Sequence, residues 1–315
     1  MKRLKVLGLY LARACGLFRL ARAATASGVR FLGYHGVWLG SAPFRGDVLF
    51  MGKATFEKRL AAIRRLGYPV ISLRDGLAAG NGGKAVPPSA VVITIDDGWY
   101  STYAHMVPAL TRLGMPATLY CDTAHLVAQS PVGHVVARHI WREAGASAAD
   151  GEAHRSFLSA IDMNLTLDER NAAARRLAAA LHIDYDWFIA GRAFNYMTPQ
   201  ELKHAADSGI DVQLHTHNHT LHDFNDRDIR REIAENRAVL SAVLERPPEQ
   251  FEHFCYPSGI CRAGSVRALK DAGIASAVTS RAGLFRPGDP VHMMGRFIDG
   301  ENVSPIEFEA ELSGF

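Results

Sequence analysis

Two carboxylates stand side by side at Asp96 and Asp97, at the end of the apolar run AVVITIDDG that spans 90–98. Such a run reads as a strand buried on both faces, whose last residues emerge where a parallel barrel keeps its chemistry. Two adjacent carboxylates cannot both serve packing there, so one is able to bind a cation while its neighbour stays free as a base. Far along the chain, His215 and His219 close a second apolar run, IDVQLHTHNH at 210–219. At that spacing two imidazoles can reach one metal ion from a helical turn or a tight loop. With Asp97 they form a set of two His and one carboxylate that leaves positions open for water and substrate. Each fragment alone has a plainer explanation, because Asp-Asp-Gly also makes turns and helix N-caps and spaced histidine pairs occur on surfaces. Taken together they point to metal-assisted hydrolysis.

The elements that must position these side chains alternate between short β-rich runs and amphipathic helical ones, the pattern of a parallel sheet or barrel of βα units. VRFLGYHG (29–36) reads as the first strand and TFEKRLAAIRRLG (55–67) as a helix closed by Gly67; PVISL (69–73) reads as a strand. A helix over YSTYAHMVPALTRLG (100–114) contains Pro108, and PATLYCD (116–122) is the strand after it. Between about 125 and 195 the strand signal gives way to helical pattern, as in LTLDERNAAARRLAAALH (165–182), which predicts an inserted helical lobe. MTPQELKHAADSG (197–209) carries a full helix signature: Thr198 as N-cap, Pro199 at the first helical position, Glu201 in the capping box and Gly209 as stop. FEHFCYPSG (251–259), ASAVTS (275–280) and HMMGRFID (292–299) supply the remaining strands, with helices near 226–245 and 263–272. The expected organisation is an N-terminal helical segment, 1–28, followed by one α/β catalytic domain over 29–315 with the insertion inside it.

A chain of 315 residues with 48% hydrophobic and 21% charged residues can bury a full core. Its 35 basic and 32 acidic residues are scattered, which argues against nucleic acid as a partner. Four cysteines without CxxC spacing, two of them in apolar strand-like runs, suit a reducing compartment. The first 26 residues imitate an export signal, but Arg13, Arg19 and Arg22 interrupt the apolar stretch. The expectation is therefore a cytoplasmic protein. The N-terminal segment either packs as a helix on the domain's own surface or makes a peripheral contact with the inner membrane.

TIDDG (94–98), HTHNH (215–219) and YPSG (256–259), in that order, resemble the first three motifs of the polysaccharide deacetylase family, the NodB-homology or carbohydrate esterase 4 proteins. The resemblance runs from about residue 30 to the C-terminus, interrupted by the lobe. It implies a distorted (β/α)7 barrel and assigns roles by motif position: Asp96 as catalytic base, Asp97, His215 and His219 as metal ligands. The ion it implies is divalent, Zn2+ first, with Co2+, Ni2+ or Fe2+ as alternatives. The family's third motif supplies a groove wall and a backbone N–H for the oxyanion. Here Cys255 and Ser258 stand where the family has Arg and Tyr, so the Ser258 N–H inherits the donor role and Arg296 becomes the candidate to steady the base. The Leu-x-His motif that carries the general acid in many members is missing. The pair Tyr34-His35 instead resembles the variant of poly-N-acetylglucosamine deacetylases, which assigns the acid to His35, with His292 as the alternative.

Trp99 and Tyr256 could equally be sugar-stacking walls or packing. His217 and His222 read as supporting or solvated residues, and Trp141 and Trp187 as the core of the lobe. The implied substrate is an N-acetylated glycan or sugar intermediate of bacterial surface-polysaccharide biosynthesis. An O-acetyl sugar esterase, a small-molecule amidase on the same scaffold and a non-catalytic glycan-binding protein are the competing readings.

Overall fold

The structure is a computed structural model that describes residues 2–40, 49–80, 86–147, 149–221, 225–262 and 264–315; His222 lies outside the described residues. Its centre is a parallel sheet. Among the described residues it has seven strands: β1 (Arg30–Tyr34), β2 (Val91–Asp97), β3 (Ala117–Cys121), β4 (Asp211–Leu214), β5 (His253–Cys255), β6 (Ser276–Val278) and β7 (Phe297–Ile298), in the spatial order β6-β5-β4-β3-β2-β1-β7. A further parallel bridge joins Val278 at one edge to Met294, just before the other, so the sheet curls toward closure. This is the distorted (β/α)7 barrel that the motifs imply. β2 lies in the middle with every residue buried, as its unbroken apolar run requires.

The helices are α1 (Lys2–Ala14), α2 (Leu17–Ala24), α3 (Lys53–Arg65), α4 (Leu73–Gly80), α5 (Val107–Leu113), α6 (Ala124–Ala128), α7 (Gly133–Glu143), α8 (Gly151–Ile161), α9 (Leu167–Ala180), α10 (Asp186–Gly191), α11 (Pro199–Asp207), α12 (Asp226–Leu244), α13 (Ser265–Asp271) and α14 (Pro305–Ser313). α11 begins with the expected reciprocal cap, the Thr198 side chain accepting from Glu201 N–H and the Glu201 carboxylate from Thr198 N–H. Apolar side chains of α3, α5, α11 and α12, among them Leu60, Leu110, Leu202 and Ile233, share one core with the outward faces of the strands.

Two local expectations need correction. PVISL is not a strand: Val70 makes a single bridge to Val91, and the Ser72 Oγ accepts from Asp75 N–H, which starts α4 at Leu73. The helix over 100–114 exists but is not uniformly α, because residues 102–106 form a π turn directly before Pro108. A proline ring clashes with the carbonyl four residues back, and the wider turn moves that carbonyl away.

The lobe comprises α6 to α10 and packs a second core around Val136, Ile140, Leu177 and Phe194 that also takes in Trp99. Trp141 stacks on Phe157 inside it, with ring centroids 4.5 Å apart. Trp187, expected in that core, sits instead at its half-exposed rim beside Trp38 and Phe188. At the other side of the barrel α1 and α2 pack on α14 through Leu9, Ala12 and Phe18 against Ile306 and Ala310.

Candidate active site

β2 delivers Asp96 and Asp97 together at its C-terminal end, both buried. Asp97 has a left-handed backbone, φ 76°, which turns the chain so that successive carboxylates serve different partners. Asp96 meets Arg296, whose Nη1 and Nη2 donate to its two oxygens at 2.7 Å each. The same guanidinium donates to Thr279 O, Thr94 Oγ1 and the Cys255 sulfur. It fits across the barrel interior because Gly33 on β1 leaves room: a Cβ there would come within 2.5 Å of Ile298 and 3.5 Å of the guanidinium. Burial opposes ionisation of Asp96, but the charge and hydrogen bonds of Arg296 hold its carboxyl below the ordinary carboxylate range. Burial likewise opposes charge on Arg296, and the Asp96 carboxylate outweighs it, raising the guanidinium further.

Asp97 faces the other way. Its Oδ2 accepts the Trp99 indole N–H at 2.7 Å. Its Oδ1, fully buried, accepts no hydrogen bond among the described residues, yet lies 3.4 Å from His215 Nε2 and 3.2 Å from His219 Nε2. The three donor atoms fall within 4.8 Å of one another. An orphaned carboxylate oxygen facing two imidazole nitrogens is costly as it stands and fits a shared divalent cation. The His215 Nδ1–H donates to Cys255 O at 2.8 Å, which leaves Nε2 with its lone pair toward the same point. Burial opposes ionisation of Asp97 too, and the two imidazoles hold it well below the usual range.

The two histidines come from a loop rather than a strand, since β4 ends at Leu214. Thr216 and His219 both adopt left-handed backbone, φ 66° and 54°. Two side chains of α12 keep that loop in place. Buried Glu232 accepts the N–H groups of His217 and Asn218, and buried Asn236 accepts from His215 N–H and donates to Cys121 O and Thr123 Oγ1. Sequence reasoning missed both; polar residues four apart on the inward face of an otherwise apolar helix stripe were the available signal. His217 pairs with Thr123 Oγ1 at 2.8 Å, so it braces the loop.

These side chains open into a cavity of about 700 Å3. His35 lies on its wall with Nε2 3.8 Å from Asp96 Oδ2, and its Nδ1 has no hydrogen-bond partner among the described residues. Ser258, also on the wall, has φ 56°. The neighbouring N–H groups of Gly259 and Ile260 are spent on Tyr256 O and Pro257 O, whereas that of Ser258 makes no backbone bond among the described residues. Gly259 itself, φ 67°, runs so close to Ser280 that a Cβ would lie 2.5 Å from the Ser280 backbone nitrogen. The lobe supplies His134, Arg138 and Met163 to the same cavity, none of which sequence reasoning singled out. His292 is not brought to the site: its Nε2 pairs with Ile274 O, and it does not line the cavity. Tyr256 is buried against Phe254, and Trp99 orients Asp97, so packing and orientation account for both aromatics.

The polysaccharide deacetylase family model matches residues 162–277. The poly-beta-1,6-N-acetyl-D-glucosamine N-deacetylase of Escherichia coli (strain K12) is 37% identical over 73 residues, 22% of this chain, and the chain spans only 11% of that relative's length. Among solved structures, IcaB from Ammonifex degensii superposes with a TM-score of 0.61 at 19% identity, covering 91% of this chain and 97% of that one. The Streptococcus pyogenes deacetylase PplD in complex with acetate gives 0.61 at 16% identity, covering 90% and 98%. The BpsB deacetylase domain from Bordetella bronchiseptica gives 0.57 at 15%, covering 86% and 95%.

Proposed function

We propose that the chain, whose residues 162–277 match the polysaccharide deacetylase family model, is a deacetylase of the variant with a Tyr-His first strand and hydrolyses the acetamido group of an N-acetylated sugar to acetate and a free amine. One observation carries this reading: a carboxylate held ionised by a two-point guanidinium clamp stands beside an Asp-His-His set, and both face one cavity. Asp97, His215 and His219 would hold a divalent ion, Zn2+ foremost given two nitrogens and one oxygen, with Co2+, Ni2+ or Fe2+ as alternatives. Such an ion would polarise a carbonyl and lower the pKa of a bound water toward about 7.

The protein's own groups account for the remaining chemistry. Asp96 accepts the proton of the attacking water; its Oδ1 keeps a lone pair beyond the one given to Arg296, whereas Oδ2 also takes the Cys255 thiol. Arg296 fixes the carboxylate plane and keeps it ionised at neutral pH. The unspent Ser258 N–H donates to the carbonyl oxygen as negative charge gathers there, a contribution of about 3 kcal/mol for one such donor. As the C–N bond breaks, His35 gives its proton to the departing nitrogen, because an amine does not leave as an anion at neutral pH.

The substrate we propose is a lipid-linked or nucleotide-linked N-acetyl sugar used in bacterial surface-polysaccharide assembly, met on the cytoplasmic side of the inner membrane. The lobe, which walls the cavity with His134 and Arg138, would set which sugar enters. Measuring acetate release from matched N-acetyl and O-acetyl sugars, for the wild type and Asp96→Asn, tests the reading. Release from the N-acetyl sugar, abolished in Asp96→Asn while bound metal is retained, is the expected result; release from the O-acetyl sugar alone makes the chain an esterase, and release from neither makes it a binding protein.

A further inference from the structure

A surface helix ordinarily turns its leucines inward and its cations to solvent. α1 departs from this in its leucines, of which only Leu9 among four is buried. Its buried residues are Leu9 and Ala12, and its cations engage the C-terminal part of the chain: Lys5 pairs with Glu307 at 3.1 Å, Arg13 with Glu309 at 3.3 Å, and Lys2 donates to Asn302 O. Leu4, Leu7 and Leu11, at three- and four-residue spacing, share the opposite face and are 74%, 57% and 60% exposed. α2 continues the apolar surface with Leu20, 65% exposed. Arg3 and Arg19 are exposed on the same two helices and make no ion pair among the described residues.

An apolar stripe of this extent marks a surface that something covers. Charge identifies what. α1 and α2 carry six Lys and Arg and not one Asp or Glu. A second copy of the chain would bring like charges together on this face, whereas an anionic lipid surface complements them. α1, at 13 residues, is about 20 Å long, short of the roughly 30 Å hydrocarbon core, and no described helix is long and apolar enough to cross a membrane. A short helix with leucines on one face and cations beside them lies in the plane of the headgroups.

We propose that the outward stripe of α1 and α2 is a membrane-docking surface, with Leu4, Leu7, Leu11 and Leu20 inserted among acyl chains and Arg3 and Arg19 on phospholipid phosphates. The Lys2 end of α1 sits at Asn302, in the loop that leaves β7 on the side where the active site opens, while Thr25, just beyond α2, binds Ser313 O at the far end of α14. Docking therefore brings the rim of the catalytic mouth to the bilayer surface, within reach of a sugar carried on a lipid. That last consequence rests on the deacetylase reading; the docking itself does not.

Flotation with vesicles of equal phosphatidylcholine and phosphatidylglycerol tests it, using the full chain and pure phosphatidylcholine vesicles as the control. The wild type should float with the anionic vesicles, and far less with the neutral ones. A Leu4→Asp, Leu7→Asp, Leu11→Asp triple variant should lose at least about tenfold in partitioning, and Arg3→Gln with Arg19→Gln several-fold, both with unchanged thermal melting and unchanged turnover of a soluble sugar. The idea is overturned if the wild type stays with neither vesicle, if the leucine variant floats as well as the wild type, or if that variant instead splits a dimer seen by sedimentation equilibrium. Flotation that persists in a chain releasing no acetate from any sugar supports the docking surface and removes only the deacetylase reading.

Discussion

Arg296 and Asp96, two hundred positions apart in the chain, meet in a parallel two-point clamp with both N–O distances 2.7 Å. Cys255 is the residue next to them, and its small side chain leaves the guanidinium space to approach from β7's side of the barrel. The clamp lowers the proton affinity of Asp96 while aiming its oxygens into the cavity.

Replacing Arg296 with Met removes the charge that offsets burial of Asp96. The pKa of Asp96 then rises, so the acid limb of kcat/KM moves to higher pH, and the orphaned buried carboxylate costs roughly 3–5 kcal/mol of stability. A pH profile of the variant beside the wild type checks this; an acid limb that stays in place means Arg296 does not govern the base.

Trp99 holds Asp97 through its indole N–H. Trp99→Phe keeps the ring in the lobe core but releases the carboxylate, and metal affinity should fall by about 10–100-fold, as is usual when a group behind a ligand is lost. Competition with a fluorescent chelator reads this directly. Exhaustive chelation of the wild type should abolish turnover, and an unchanged rate after metal removal would falsify the assignment of the Asp97, His215 and His219 set.

Of the two candidate acids, only His35 is on the cavity wall. His35→Ala should lower kcat by about 10²–10⁴, whereas His292→Ala, which removes a bond to Ile274 O, should leave kcat within a few-fold. The opposite ranking would assign the proton to a group the geometry does not place near Asp96.

The oxyanion donor is assigned to backbone, so the Ser258 side chain is dispensable. Ser258→Gly should keep kcat nearly intact, since glycine accepts φ 56° readily. Gly259→Ala pushes a methyl into Ser280 and displaces the donor, with an expected loss of up to about 10²–10³ in kcat. Equal effects at the two positions would point to the hydroxyl instead.

A pH effect on stability should arise away from the site. Burial and the nearby Asp299 push Glu311 up to about 7, and burial pushes Asp299 up to about 6 against the pull of Arg59. Both groups bind protons more tightly folded than unfolded, so their contribution favours the folded state at acid pH and is lost as pH climbs from the ordinary carboxylate range to about 7. Glu311→Gln should flatten that slope and stabilise the chain by roughly 1–2 kcal/mol at pH 8, the partial exposure of the group limiting the gain. Melting temperatures at pH 5 and pH 8 decide it; a variant less stable at pH 8 contradicts the assignment.

The sequence alone determined what depends on neighbours along the chain. The apolar run ending in Asp96-Asp97, the His215 and His219 spacing, the capping box of α11 and the helical stretch of the lobe are all local patterns, set by backbone sterics and the periods of strand and helix. Register with distant elements was not legible. That Trp99 would orient Asp97, that Glu232 and Asn236 of α12 would brace the histidine loop, and that His134 and Arg138 would wall the cavity follow only from which helix packs on which strand end. The orientation of α1 makes the same point, since its wheel carries leucines and cations on several sides, and the packing of Leu9 and Ala12 on α14 together with the ion pairs to Glu307 and Glu309 decides which side faces in. Tertiary structure settled these matters because a buried polar group must find its partner wherever the fold brings one within about 3 Å, whatever their separation in sequence.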